Sequence, residues 1–136
     1  MDCVFCKIAS GEIPSKKAYE DDLVYAFYDL DPQAPVHILI IPKVHIASAN
    51  EITAQNSAVV AHIFEVAAKL AAELGLSDKG YRVVNNCGTD GGQTVQHLHF
   101  HDEIVLSVFL CQFPSGRMEP EQPASIAQLL QCIFIQ

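Results

Sequence analysis

The stretch Gly88-Thr89-Asp90-Gly91-Gly92-Gln93-Thr94-Val95-Gln96-His97-Leu98-His99-Phe100-His101 decides how the rest of the chain is read. Its last five residues alternate an imidazole with an apolar side chain. In an extended strand this alternation places His97, His99 and His101 on one face and Leu98 and Phe100 on the other. Three imidazoles on one face, backed by apolar residues, build a site rather than a core. The glycines upstream form a loop that needs their backbone freedom, and it offers N–H groups and the Thr94 hydroxyl just ahead of the histidines. Two chemistries suit such a trio. One is a metal centre; the other is phosphoryl transfer, in which one imidazole attacks phosphorus while others donate hydrogen bonds to phosphate oxygens. The adjoining loop favours phosphate.

Working outward, Tyr81–Asn86 and Thr94–His101 read as strands on either side of this loop. Val59, Val60, Ile63, Val66, Ala67, Leu70, Ala71 and Leu74 recur at spacings of three and four, which predicts a helix from about Asn56 to Leu74 with Gly75 as its stop. Before it, Lys17–Glu20 and Leu23–Tyr28 read as strands turned at Asp21-Asp22. Val36–Ile41 reads as a strand buried on both faces except where His37 points, ended by Pro42. Cys3 to Ser10 fits a short helix closed by Gly11. Strands before and after one dominant helix predict an α+β fold, an antiparallel sheet with helices on one side.

The 136 residues suit one domain, and at 50% hydrophobic and 18% charged they can fill a core. A net charge of −8 argues against a nucleic-acid polymer as partner, since that recognition neutralises phosphates with Lys and Arg. No apolar run is long enough to span a membrane and the start is acidic, so neither membrane association nor a signal peptide is expected. Five cysteines, two of them as Cys3-x-x-Cys6, favour metal or free thiols in a reducing compartment, and a cytoplasmic location is expected. Cys3 and Cys6, one helical turn apart, suit two thiolates on one zinc ion; the plain alternative is a pair of buried thiols. Cys87, Cys111 and Cys132 read as packing residues, and His62 as solvated surface.

Seven segments together resemble the histidine triad family, in its branch of purine nucleoside phosphoramidases: Asp2–Ile8, Gly11–Pro14, Tyr28–Leu30, Gln33–His37, Ile41–His45, Gly91–Val95 and His97–His101. The resemblance covers about three quarters of the chain, in order and spacing. It implies a sheet-and-helix fold, with one long helix and a short N-terminal one, that pairs as a homodimer. It implies a purine nucleotide substrate and His99 as the nucleophile that takes the nucleotidyl group. His37 and His101 resemble the residues that orient His99 and bind phosphate oxygens. Thr94 matches a hydroxyl on the α-phosphate that assists the leaving group. Asp29 matches an acid gripping the ribose hydroxyls, Leu30 a residue packing on the base, and Asn86, Gly92 and Gln93 positions lining the phosphate. By the same resemblance His45 and His97 complete a structural zinc site with Cys3 and Cys6.

The activity so implied is hydrolysis of phosphoramidate or related bonds at the α-phosphorus of a purine nucleoside monophosphate, with no metal needed for the chemistry. Three rivals stay open: cleavage of dinucleoside polyphosphates, a catalytically weak zinc-stabilised nucleotide-binding scaffold, and a zinc hydrolase using the trio. The pattern stops at His101. Asp102 and Glu103 follow where relatives continue with an apolar pair and two glycines, and two carboxylates facing a phosphate site would repel an anion. The expected organisation is a nucleotide-binding domain over 1–110 and a divergent tail over 111–136, helical at about 124–135. A shifted reading frame after codon 101 and a genuine tail are the two accounts of residues 102–136.

Overall fold

The computed structural model describes residues 2–32 and 34–103. The run Ile104–Leu110, which reads as a further strand in the sequence, and the tail helix expected at about 124–135 lie outside the described residues. Within them, five strands form one antiparallel sheet: β1 (Lys17–Glu20), β2 (Val24–Tyr28), β3 (His37–Pro42), β4 (Arg82–Val84) and β5 (Phe100–Glu103), in the order β1-β2-β3-β5-β4. Helix α1 (Val4–Ala9) precedes the sheet, and α2 (Ala58–Glu73) lies between β3 and β4. The α+β expectation holds.

Strand alternation sorts the core into two layers. Val24, Ala26, Ile38, Ile40 and Phe100 face Ile63, Val66, Ala67 and Leu70 of α2. Tyr25, Phe27, Leu39 and Ile41 face the other way, onto Phe5 and Ile8 of α1. The two helices therefore cover opposite faces, which corrects the one-sided arrangement. The physical reason is β3: all six of its residues are buried, so each face needs its own cover. Burial of each large apolar side chain against α2 contributes about 1.5–3 kcal/mol. The helix ends where its stripe ends, at Gly75, whose φ of +72° suits a residue without Cβ.

The histidine stretch departs from the expected strand over 94–101. Regular pairing starts only at Phe100, opposite Ile40, and runs on through His101, Asp102 and Glu103. Continued upstream, this register would set Leu98 opposite Pro42, which has no N–H to give. The chain leaves the ladder there, and the Leu98 N–H donates to the Ile46 carbonyl instead, at 2.6 Å. Sidedness survives the break. Leu98 and Phe100 belong to the α2 layer, while Phe5 of α1 stacks edge-on against both His97 and His99.

His62 is also not simply solvated. Its Nε2 lies 2.6 Å from Asp21 and its Nδ1 3.1 Å from Glu65, so it ties α2 to the β1–β2 turn. The same turn is built by Asp21, whose other carboxylate oxygen accepts the N–H groups of Leu23 and Val24. Asp21, then Glu65, raises the His62 pKa.

Candidate active site

Every histidine except His62 gathers on or beside the α1 face. At one end, the His97 Nε2–H donates to the Pro42 carbonyl at 2.9 Å, which leaves its Nδ1 lone pair directed at the thiols. That Nδ1 is 3.4 Å from Cys3 Sγ and 3.5 Å from Cys6 Sγ, and His45 Nδ1 is 3.3 Å from Cys6 Sγ. In a tetrahedral zinc site the sulfur–nitrogen edges are about 3.5 Å, so these four side chains have the spacing of a closed ligand set. Cys3, Cys6, His45 and His97 can hold a metal ion. Burial keeps the His97 pKa below its ordinary value, favouring the neutral form a ligand needs. The Pro42 carbonyl is the outer partner that fixes which nitrogen is free.

In the middle, His99 is buried and its Nδ1 lies 2.6 Å from the carbonyl oxygen of His97. A carbonyl only accepts, so the proton is on Nδ1 and the Nε2 lone pair is exposed to reaction. Asn85 fixes the same residue from the backbone side, donating from Nδ2 to the His99 carbonyl at 2.8 Å.

At the far end, His37 Nε2 and His101 Nδ1 are 2.6 Å apart. His37 Nε2 also faces Asp29 Oδ2 at 3.4 Å and Glu103 Oε1 at 3.3 Å. Two acceptors so close require the proton on His37 Nε2, which then donates to His101. The remaining proton of a neutral His101 sits on Nε2, a buried nitrogen without a hydrogen-bond partner among the described residues. A donor in that state suits an anionic oxygen brought by a ligand. Burial, reinforced by His99 and His37, pulls the His101 pKa down to about 4.

Known proteins offer a comparison for this chain. The model of the HIT domain matches residues 10–103. The chain belongs to the HIT domain family. It is 45% identical over 100 residues to the purine nucleoside phosphoramidase of Escherichia coli strain K12, a match spanning 74% of this chain and 84% of that one. Among solved structures, a HIT family hydrolase from Legionella pneumophila superposes with a TM-score of 0.74 at 50% identity, covering 75% of this chain and 91% of the other. A second HIT family hydrolase, from Clostridium thermocellum, gives 0.76 at 48% identity, covering 79% and 93%. Hydrolase chemistry is thus the family setting for this HIT chain.

The other sequence-predicted residues of the HIT site divide by environment. Asp29 is held by its own turn, with its N–H donating to the His37 carbonyl and Oδ1 accepting from the Asp31 N–H. Leu30 is 88% exposed, open to a planar ligand. Asn86 is half-buried beside Gly92, and Gly92 is exposed with a φ of +81°. Gly91 is required by close approach, because a Cβ there would lie 2.4 Å from the Cys87 carbonyl oxygen. Gln93 turns out to build the loop: its amide donates to the carbonyls of Ala47 and Val95 and accepts the Gly88 N–H. Thr94 is exposed and, with Asp2, Cys3 and His45, lines an open cleft of about 400 Å³.

His37 is buried rather than pointing outward, which its place between two carboxylates and a second imidazole explains. Sequence reasoning missed Asn85, whose signal was the Asn85-Asn86 pair ahead of the glycine loop. It also missed Arg82, which reaches Glu103 at 3.2 Å. Asp102 and Glu103 do not act alike: only Glu103 faces the histidines.

Proposed function

We propose that the protein hydrolyses phosphoramidate or related bonds at the α-phosphorus of purine nucleoside monophosphates, through a nucleotidyl intermediate on His99. The observation that carries this reading is the His99 tautomer. With Nδ1–H committed to the His97 carbonyl, Nε2 is an unprotonated nucleophile in a water-poor setting. Its lone pair forms the bond to phosphorus; the P–N bond to the leaving amine breaks, and the amine departs with that electron pair and a proton taken from solvent, which is returned to solvent when water attacks in the second step. Water then cleaves the P–N bond to His99 and releases the mononucleotide. His101, oriented by His37, donates its Nε2–H to a phosphate oxygen, and the loop with Asn86, Gly92, Gln93 and Thr94 lines the phosphate, Thr94 on the leaving-group side. Asp29 offers carboxylate oxygens to the ribose diol, and Leu30 offers apolar surface to the base. Catalysis rests on positioning and charge stabilisation.

In the same reading Cys3, Cys6, His45 and His97 hold one zinc ion, which when bound supplies structural cross-linking through a closed four-ligand set. It would pin α1 to the start of the histidine stretch, and with it Phe5 against His99. The similarity to the Escherichia coli phosphoramidase and the net charge of −8 support a small nucleotide ligand rather than a polymer; the protein is taken to act as a homodimer in the cytoplasm, as the family resemblance implies. The domain is taken to span 1–110, followed by the tail over 111–136.

The test is a substrate panel. An adenosine phosphoramidate should turn over with a nucleotidyl adduct detectable by mass on the full chain. Preferential cleavage of diadenosine tetraphosphate would instead select the dinucleoside polyphosphate reading. Nucleotide binding without any turnover would select the scaffold.

A further inference from the structure

The carboxylate of Glu103 sits where the proposed phosphate grip is formed. Register pairs His37 with Glu103 across β3 and β5, and alternation puts both side chains on the α1 face. Its Oε1 lies 3.3 Å from His37 Nε2 and 3.9 Å from His101 Nδ1, so it touches both members of the imidazole pair. The other oxygen is 3.2 Å from Arg82, opposite Glu103 in the β4–β5 register. The Glu103 side chain is only 10% exposed, while that of Arg82 is 45% exposed. The anion is therefore shielded from water and fixed at the site, whereas its counter-charge is partly given to solvent. Asp29 adds a second carboxylate 3.4 Å from His37.

We infer that Glu103 is a specificity-determining residue that sets the charge of the phosphate this site accepts. The inference rests on the nucleotide-hydrolase reading above. A fixed negative charge beside the His37–His101 pair penalises each further negative charge on the ligand, by roughly threefold per unit at a separation of about 6 Å with water-like screening. An N-substituted phosphoramidate of a nucleoside carries one negative charge at neutral pH. The mononucleotide product carries close to two, since the second ionisation of a phosphate monoester falls near pH ~6. Polyphosphate chains carry more. Glu103 thus favours monoanionic substrates, helps to expel the dianionic product, and disfavours dinucleoside polyphosphates.

The decisive experiment measures binding of three adenine ligands to the full chain and to Glu103→Gln: neutral adenosine, a monoanionic adenosine phosphoramidate under single-turnover conditions, and AMP. The expected change on substitution is none for adenosine, about threefold tighter for the monoanion and about tenfold tighter for AMP. Glu103→Leu, which removes the charge with an apolar group, should give the same gradient if the amide variant fails to fold. A uniform change across the three ligands would show a purely structural role and overturn the inference. Weaker AMP binding would overturn it too, since it would mean that Glu103 serves to hold the histidine pair positively charged. If the parent chain bound none of the three, the functional reading itself would fall, and this inference with it.

Discussion

Asp102 and Glu103 are neighbours on β5 and both are buried, but they occupy different chemical worlds. Glu103 looks onto the α1 face, where Arg82, His37 and His101 meet it. Asp102 looks onto the α2 face, opposite Ile38 and Val83, and neither of its carboxylate oxygens has a hydrogen-bond partner among the described residues. Burial pushes the Asp102 pKa up to about 6. One face of the sheet is organised for polar groups: His97 commits Nε2 to the Pro42 carbonyl and His99 commits Nδ1 to its neighbour's carbonyl. The opposite face is organised for apolar packing and, among the described residues, gives the Asp102 carboxylate no hydrogen-bond partner. A period of two converts adjacent residues of the same chemistry into a site component and a liability.

The sharpest break of this contrast is on the site face. His99→Ala should lower turnover of an adenosine phosphoramidate by about a thousandfold or more, with AMP binding still measurable by calorimetry. Retention of a tenth of parental turnover would remove His99 from the nucleophile role. Next comes the metal set on the same face. Purified protein should carry close to one zinc per chain, and Cys3→Ser or Cys6→Ser should abolish it and lower Tm by about 10 °C or more. Metal analysis of chelator-free protein finding no zinc would leave buried thiols as the account of the pair.

The other face should respond in the opposite direction. For Asp102 the folded pKa lies above the unfolded value of 3.8, so the folded state disfavours the charged form. The resulting destabilisation is absent at pH 3, grows between about pH 4 and 6 and is complete above, where it amounts to about 3 kcal/mol. Asp102→Val should therefore raise stability by that order at pH 7.5 and progressively less toward pH 4, as read by denaturant melts. No gain at pH 7.5 would show that the carboxylate finds a partner in solution. The smallest expected effect concerns His62. Its raised pKa means that its contribution is present in full below the unfolded value of 6.5 and is lost as pH rises through the folded value. His62→Ala should cost more stability at pH 6 than at pH 9; a cost that does not change with pH would indicate packing rather than the ion pair.

Much of this molecule was legible without coordinates, because its signals are local. The α2 stripe, the Gly75 stop, the Asp21-Asp22 turn and the alternation through His97–His101 are each written within a few residues. The sidedness of Leu98 and Phe100 against the histidines follows from strand geometry alone, and it held even where regular pairing gave way at Pro42. Asp29, His37, His99 and His101 could be singled out from the sequence because each lies in a segment that resembles the family's pattern.

What the sequence left open depends on which strands become neighbours. Placing β5 between β3 and β4 brings Glu103 against His37 and Arg82, residues 66 and 21 positions away, and no local pattern encodes that meeting. The same placement decides that Asp102 faces the α2 core. Two layers rather than one follow from β3 being central, a property of the assembled sheet and not of its six residues. The tautomers of His97 and His99 were likewise set by carbonyls, Pro42 and His97, whose positions only the folded backbone supplies. Composition and periodicity determine which side chains a strand offers to each face; tertiary pairing determines what those side chains find there, because contact energies act over a few ångströms and chain distance does not.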